Sequence, residues 1–383
     1  MGMTHAGLTG SDWASTVDTL GGAEVLEQEA RVTGAFLRPR EVKSGVDLLR
    51  LILAYCLGER GLRLTAAWAE TIGLASLSNV ALLGRLRNAV PWLQSILARL
   101  MTQASVGTRA AVAGGRLIRL VDATTVRKAG KSARERGRLW RVHAVFDLPA
   151  ERFSAFELTD EKGAERINRI AVIPGEIRIA DAVHCRADEL ADVIDKGGDV
   201  LVRAGWSSAR WLEEDGRAYD LVRDLRTSTT GVIDRPVWLG RKAAGAAPLR
   251  MRLVAIRMPK AKAVEAVRKA RDEAKSKQRQ IHPNTVTAAE WVITVTSLDP
   301  DEFPTAKVLE LYRLRWRIEI AFKRLKSLGK LAGPPGECPE AAKAWVLCHL
   351  IVALLTEAQL AAFGDSPRRA PVRAQTCGAP AAC

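Results

Sequence analysis

Four residues near the C-terminal end have types and a spacing that could handle a phosphate group. They are Tyr312, Arg315, Glu319 and Lys326, in the pattern Y-x2-R-x3-E-x6-K. An α-helix turns by about 100° per residue, so one helix would present all four on a stripe about 60° wide. An acid flanked by cations on a half-buried face is what a phosphate-handling metal site needs.

The neighbouring residues also have helical periodicity. Apolar side chains fall on a second stripe and basic side chains on a third. The apolar stripe can pack on a core, while the basic stripe can face solvent or a polyanion. The apolar residues are Leu311, Leu314, Ile318, Phe322 and Leu325, and the basic residues are Arg313, Arg317 and Arg324.

Two further acids each end a run with β-strand character. Asp122 ends the run 117–122 and Asp181 ends the run 177–181. If both strands share one C-terminal edge, the acids can converge, and a packed helix can bring Glu319 to them. Three carboxylates suit a pair of Mg²⁺ or Mn²⁺ ions about 3.5–4 Å apart, which activate one oxygen and stabilise another as it leaves. Alone, each Asp would be interpreted as a turn residue and Glu319 as a surface ion pair, but together they favour the metal site.

At these residues the chain resembles the bacterial insertion-sequence transposases of the DDE type, specifically the insertion-sequence-four group. The Y-x2-R-x3-E-x6-K pattern matches the signature of that group completely. Asp122 in Val-Asp-Ala-Thr-Thr matches the first acid of the family, and Asp181 in Ile-Ala-Asp matches the second. The resemblance covers approximately residues 115–330.

The resemblance implies an α/β fold, with a ribonuclease-H-like mixed-sheet catalytic core that carries a β-rich insertion. It implies a DNA transposase that uses two divalent ions, Mg²⁺ or Mn²⁺, to cleave transposon ends and join the freed 3′-OH to target DNA. The implied partners are double-stranded DNA, as terminal inverted repeats and as target, and a second copy of the chain. The implied location is the bacterial cytoplasm, at the nucleoid. The implied metal ligands are Asp122, Asp181 and Glu319, and the implied contacts to the transposon-end strand are Tyr312, Arg315 and Lys326.

The second acid and the activity both have alternatives. Asp188 and Asp192 could replace Asp181, although they fall inside a predicted helix rather than at a strand end. A nuclease of the same fold that never joins strands is one alternative function. A catalytically inactive DNA-binding relative is the other.

Periodicity predicts three regions along the chain. Residues 1–114 form an N-terminal helical domain, which is a candidate for binding DNA ends, although residues 1 to about 35 are expected to be loosely ordered. Residues 115–330 form the catalytic domain, with helices at 163–173 and 186–195 and an insertion at about 206–290. Residues 331–383 form a helix at 340–361 and a disordered tail.

Two helical regions, a pair of short helices and one longer basic helix, could contact DNA directly. Segments 64–72 and 78–87, with Thr65 and Ser78 as N-caps, are either a helix-turn-helix or an ordinary helical hairpin. A very basic helix is predicted at 261–280, and a DNA phosphate track is favoured there over a solvated charge run. The charge of +15 on 383 residues also suggests a polyanionic partner.

Several other signals limit the function. The six cysteines form no C-x-x-C pair, and no glycine-rich phosphate loop with Lys-Ser/Thr is present, so neither a zinc knuckle nor a nucleotide cofactor is expected. The apolar stretch 344–355 is too short to cross a membrane. Trp206 and Trp211 could stack on a flipped base but are better interpreted as core or surface residues. His143 is expected to be structural. His184 could contact a metal ligand without binding the metal itself.

Overall fold

The computed structural model describes residues 13–58, 60–111, 115–127, 139–327, 331, 333–335 and 338–364. Nine strands form one sheet with the order β3-β2-β1-β4-β5-β9-β8-β7-β6. The strands are β1 (Ile118–Arg127), β2 (Leu139–Asp147), β3 (Arg152–Asp160), β4 (Ile177–Ala180), β5 (Asp199–Arg203), β6 (Arg210–Leu212), β7 (Val232–Gly240), β8 (Leu249–Arg257) and β9 (Trp291–Thr296).

The first five strands form the core of the sheet. β1, β4 and β5 are parallel neighbours, whereas β2, β3 and β9 pair antiparallel. All four residues of β4 are buried, because a central parallel strand is covered on both faces. This mixed sheet confirms the α/β class and the ribonuclease-H-like arrangement that was expected of the core.

Thirteen helices occur among the described residues, and they cover the two faces of the sheet. Helices α1–α6 and α11–α13 share one apolar core with the first face, and α7 and α8 pack on the second. The helices are α1 (Trp13–Thr19), α2 (Ala23–Val32), α3 (Gly45–Leu57), α4 (Leu62–Thr71), α5 (Asn79–Asn88), α6 (Val90–Ala111), α7 (Ala187–Asp195), α8 (Leu221–Thr227), α9 (Lys260–Ser276), α10 (Pro283–Ala289), α11 (Thr305–Arg313), α12 (Trp316–Ser327) and α13 (Pro339–Gly364).

Helix α13 links the N-terminal helices to the sheet. It packs against α3, α5, α6 and β3. The helix is 26 residues long, so the expectation that this segment is too short for a membrane was wrong. Its stretch Pro339–Thr356 is apolar enough to cross a bilayer, but 67% of it is buried inside the protein. A helix that is apolar on all sides is explained here by packing on all sides.

The N-terminal region is more ordered than predicted. Residues 13–32 form α1 and α2, because Leu20, Leu26 and Ala30 are fully buried in the shared core. Residues 1–12, and the tail 365–383 that was expected to be disordered, lie outside the described residues. Helices α4 and α5 confirm the predicted helical pair, and the Ser78 hydroxyl caps α5 by accepting from the Ala81 amide at 3.1 Å. Thr65 is not the N-cap of α4, since that position is Gly61.

The predicted helix at 163–173 is absent, and the segment is an irregular loop. The buried guanidinium of Arg178 donates to the carbonyls of Ile167 at 2.5 Å and Ala171 at 2.6 Å. Arg169 similarly donates to the Ala164 carbonyl at 2.9 Å. These carbonyls are bonded to side chains, which replaces the hydrogen bonds that a helix would supply.

The insertion adds strands to the same sheet. Strands β6, β7 and β8 extend it through β9, which pairs with both β8 and β5. Helix α9 follows β8 and ends at Ser276, four residues earlier than predicted, and none of its residues is buried.

A buried charged network lies at the end of the strands where β1 and β4 begin. Arg119 donates to Asp147 at 2.9 Å and to Glu176 at 2.9 Å, and Glu176 also pairs with Arg178. Ser154 completes the network by donating to Asp147 at 2.6 Å. Buried charges are tolerated only when they are paired in this way.

We expect Glu176→Gln to lower the free energy of unfolding by roughly 3–5 kcal/mol, because two buried guanidiniums lose their shared counter-charge. Urea denaturation measures the change. Arg217→Gln, which removes an exposed ion pair with Asp215, is the control and should leave the urea midpoint nearly unchanged. Equal midpoints for the two variants would contradict a supporting role for the network.

Candidate active site

Two acids meet at one edge of the sheet. Leu120 of β1 is opposite Ile179 of β4, and Asp122 and Asp181 each follow two residues later. Because side chains alternate between faces, both carboxylates lie on the face covered by α11–α13. Asp181 directly follows β4, as predicted. Asp122 does not end its strand, because β1 continues to Arg127 by pairing with β2 after its parallel pairing with β4 has stopped.

Local hydrogen bonds orient the two carboxylates. Asp181 begins a short 3₁₀ turn and accepts from the Val183 amide at 3.0 Å. Asp122 accepts from the amide of Ala123 at 2.8 Å. Each acid therefore keeps oxygen lone pairs free for another ligand.

The signature segment is two helices rather than the single helix predicted. Tyr312 lies in the last turn of α11, Arg315 in the two-residue break, and Glu319 in the first turn of α12. The backbone tightens at the break, where Arg315 donates to the Tyr312 carbonyl at 3.1 Å. Lys326 lies about 10 Å further along α12 from Glu319.

Arg315 lies between the third acid and the sheet. One of its terminal nitrogens is 2.5 Å from a Glu319 oxygen, and the other is 4.0 Å from an Asp122 oxygen. The guanidinium is mostly buried, while the Glu319 side chain is 48% exposed. Glu319 is thus connected to the strand acids through a cation, and it remains open to solvent.

Burial shifts the pKa values of two residues at the site. Burial raises the pKa of Asp122 to about 6; the hydrogen bond from Ala123 opposes the shift, and the negative charge of Asp181 adds to it. Burial also raises the pKa of Tyr312, whose hydroxyl has no hydrogen-bond partner of good geometry in the described part of the chain. A repelled carboxylate in a partly dry site gains most from binding a cation.

The residues 113–355 match the family described as "Transposase DDE domain". The chain is 38% identical to the InsL protein for insertion sequence element IS186A of Escherichia coli K12, over 94% of this chain and 96% of that protein. It is also 38% identical to the transposase for insertion sequence element IS421 of Escherichia coli, with the same coverage. The chain belongs to the DDE transposases.

This membership confirms the predicted resemblance. A solved structure of the piggyBac transposase synaptic complex with hairpin DNA is also similar, with a TM-score of 0.43 and 8% identity over 89% of this chain and 73% of that one. DDE transposases depend on divalent metal ions, so the acids of this transposase can be tested as a metal site.

The donor set fits such ions in part. Asp122 and Asp181 are adjacent hard oxygen donors that repel each other without a cation. Across the described residues, however, no three His, Cys, Asp or Glu side chains lie close enough to hold one ion together. The reason is that the Arg315 guanidinium occupies the position between Asp122 and Glu319.

The alternatives to Asp181 have other partners in this transposase. Asp188 accepts from Arg241 at 3.0 Å and from the Lys242 amide at 2.9 Å. Asp192 accepts from Asn168 at 2.8 Å and from Lys196 at 2.7 Å. Both carboxylates are therefore used to fix α7 to nearby loops.

The two histidines lie behind the site. His143 shares a hydrogen bond of 2.9 Å with the Thr159 hydroxyl, in agreement with a structural role. His184 is buried, and neither ring nitrogen has a hydrogen-bond partner among the described residues. Burial lowers the pKa of each to about 4, so both rings are neutral near pH 7.

The tryptophans of the insertion are both engaged. Trp211 is buried and donates to the Trp206 carbonyl at 2.9 Å. Trp206 stacks on His282 with a centroid distance of 4.9 Å and donates to Thr285 at 3.1 Å. Both contacts agree with the structural interpretation.

Two residues near the site were missed from the sequence. Arg203 ends β5, the third parallel strand, and its charge acts on Tyr312. Trp316 begins α12 beside Arg315 and is 51% exposed, which leaves a ring face free for stacking. A search of the sequence for charged residues at the ends of all three parallel strands would have identified Arg203.

With a chelator present, Asp122 should contribute a loss of stability as pH rises from about 4 to about 6. Folded Asp122 holds its proton up to about pH 6, whereas the unfolded carboxyl releases it near pH 4, so the folded state binds more protons in this window. Asp122→Asn should therefore be more stable than the unsubstituted protein at pH 7, by about 1–3 kcal/mol, and not at pH 4.

Urea denaturation at the two pH values, with a chelator present, measures this difference. Asp192→Asn is the opposite control, because hydrogen bonds from Lys196 and Asn168 lower the pKa of that acid. The control should be less stable than the unsubstituted protein at pH 7. An Asp122→Asn protein that is destabilised at pH 7 would contradict the assigned repulsion.

Proposed function

We propose that this protein is a transposase that binds the ends of its insertion element, cleaves the DNA there and joins the freed ends to target DNA. The observation that carries the proposal is the contact of Arg315 with both Glu319 and Asp122. It brings the Y-R-E-K segment to the edge of the sheet where two acids already meet.

Asp122, Asp181 and Glu319 are the proposed ligands of two divalent ions, Mg²⁺ or Mn²⁺. When bound, such ions activate an attacking oxygen and stabilise the leaving oxygen of the phosphodiester. Asp122 must release its proton to act as a ligand, which its pKa of about 6 permits at neutral pH. Glu319 must separate from Arg315 to join the other two, and its exposure leaves room for that movement.

Tyr312, Arg315 and Lys326 are the proposed contacts to the transposon-end strand. Arg315 offers five N–H donors in a planar fork that matches a phosphate group. The Tyr312 hydroxyl is buried without a well-formed hydrogen bond, so it can donate to a phosphate at little cost. Lys326 is half-buried on the same helix as Glu319 and supplies a point charge further along the strand.

The proposed partners are double-stranded DNA, as terminal inverted repeats and as target, and a second copy of the chain in the synaptic complex. The charge of +15 supports a polyanionic partner. We place the reaction in the bacterial cytoplasm, at the nucleoid where the DNA is. The α4–α5 pair and the boundaries 1–114, 115–330 and 331–383 remain predictions about which part binds the ends.

Glu319→Gln should retain binding to element ends but lose strand cleavage by about 100-fold or more, because a ligand that offsets several kcal/mol of developing charge is removed. Cleavage of a plasmid carrying the element's ends, with Mg²⁺, measures the loss. Glu310→Gln removes an exposed acid from α11 and is the matched control, with activity unchanged. Cleavage by Glu319→Gln at the control rate would refute the assignment.

A strand-transfer assay separates the proposed transposase from a nuclease. Precut ends with free 3′-OH groups are incubated with the protein, Mg²⁺ and a target plasmid, and joined products are measured by gel electrophoresis. We expect joined products from the unsubstituted protein and none from Asp122→Asn. Cleavage without joining would identify a nuclease, and neither activity would identify an inactive DNA-binding relative.

A further inference from the structure

Helix α9 of the insertion has three different faces. With Lys260 placed at 0° on a helical wheel, the half-buried residues lie at about 240° to 340° and attach the helix to the molecule. This attaching face packs against α10, which in turn packs on α8 and β9. The attaching residues are Ala263, Ala266, Val267, Ala270 and Ala274.

The second face carries charges of both signs. All three acids of α9 lie at about 120° to 220°. Glu265 pairs with Lys269 at 2.8 Å, and Glu273 pairs with Lys277 at 2.5 Å. These ion pairs lower the pKa of both glutamates. The face is largely neutralised by its own acids, as a solvated helix surface normally is. Its third acid is Asp272 and its remaining cation is Lys262.

The third face carries four cations around the exposed side chain of Val264. Lys260, Arg268, Arg271 and Lys275 lie between about 0° and 80° with no acid among them. All four are exposed, and the ion pairs found on the described helix, Glu265–Lys269 and Glu273–Lys277, involve none of them. The charge of Arg268 acts on Glu265 without a direct ion pair. We call these four residues the cationic stripe. The separation of paired from unpaired cations on one short helix is more than solubility requires.

The stripe continues past the end of the helix. Gln278 adopts a left-handed backbone conformation (φ 52°), and Arg279 folds back so that its amide donates to the Ala274 carbonyl at 2.9 Å. The turn creates a groove of about 390 Å³ lined by Arg271, Lys275 and Arg279. The glutamine amides of Gln278 and Gln280 add neutral donors to the groove. The groove is therefore lined by three cations and two amide side chains beside the apolar Ala274 and Ile281. Cationic and amide side chains are the groups that donate hydrogen bonds to phosphate oxygens.

We propose that the cationic stripe and its groove bind the phosphate backbone of duplex DNA, outside the active site. The inference rests on the proposed function, because it assigns a further contact surface to the same DNA. The stripe is about 22 Å long from Lys260 to Lys275, which is enough to follow several consecutive phosphates. Such contacts position DNA without reading its sequence.

The test compares two variants that each lose three positive charges from α9 or its C-cap residue Lys277. The stripe variant is Arg268→Gln, Arg271→Gln and Lys275→Gln, and the control variant is Lys262→Gln, Lys269→Gln and Lys277→Gln. Fluorescence anisotropy of a short labelled duplex of arbitrary sequence gives the binding constant at salt concentrations between about 50 and 200 mM. Circular dichroism checks that both variants fold, and folding is favoured because all the substituted residues are exposed.

We expect the slope of log binding constant against log salt to become shallower by about 2–3 in the stripe variant, since each phosphate contact contributes about 0.9. The control variant should change it by less than half as much. Equal changes in the two variants, or no change in either, would overturn the inference while leaving the proposed function intact. An unsubstituted protein that does not bind the duplex at all would overturn both.

A second arm uses vesicles of phosphatidylserine and phosphatidylcholine, whose anionic head groups also attract cations. Loss of vesicle binding in the stripe variant, with duplex binding unchanged, would overturn the inference in favour of a membrane surface. Duplex binding that is reduced in the stripe variant only supports it. Plasmid cleavage by both variants, measured in parallel, shows whether the active site itself was disturbed.

Discussion

Repulsion between carboxylates is the constraint on which the arrangement of this protein depends. Asp122 and Asp181 lie side by side on neighbouring strands, and burial together with this proximity raises the pKa of Asp122 to about 6. Such a pair is unfavourable unless a cation is supplied. Arg315 offsets part of this repulsion, because its guanidinium lies 4.0 Å from Asp122 and also pairs with Glu319. The pKa of Asp122 stays raised all the same, so the repulsion is only partly relieved.

The strands that carry these acids are fixed at their other end by a second set of charges. β1 holds Arg119 and Asp122, and β4 leads from Arg178 to Asp181, so network residue and acid are three positions apart on each strand. An odd separation places them on opposite faces of the sheet. The buried network can therefore hold the strands in register without contacting the active site. The Arg178 guanidinium of the network also binds two carbonyls of the 163–173 loop, which explains why that segment is not helical.

Packing constrains the strands of the insertion much more than it constrains helix α9. Strands β6, β7 and β8 extend the central sheet and carry buried apolar residues such as Leu239 and Leu253. Helix α9 contributes no fully buried residue, so packing constrains only the face that attaches it to α10. Its exposed faces can be shaped by a partner instead. The arrangement of its charges into a paired face and an unpaired stripe is then informative, because neither folding nor core packing requires it.

Local patterns in the sequence determined a large part of this description. Runs with strand character located β1 and β4. The Y-R-E-K spacing with two strand-associated acids identified the family, because periodicity and residue spacing are properties of short segments. Three features could not be predicted in this way. They are the break between α11 and α12, the loop at 163–173, and the ordered helical structure of α1 and α2. The loop depends on a buried guanidinium that binds its carbonyls, and α1 and α2 depend on the apolar core into which they pack.

The same division holds for the site. The sequence by itself determined which residue types were available and which acids follow apolar strands. Only the tertiary structure decided that Arg315 would separate Glu319 from Asp122, and that Arg203 would join the same edge. The physical reason is that charge interactions depend on distance and burial, and neither quantity is encoded in the spacing of residues along the chain.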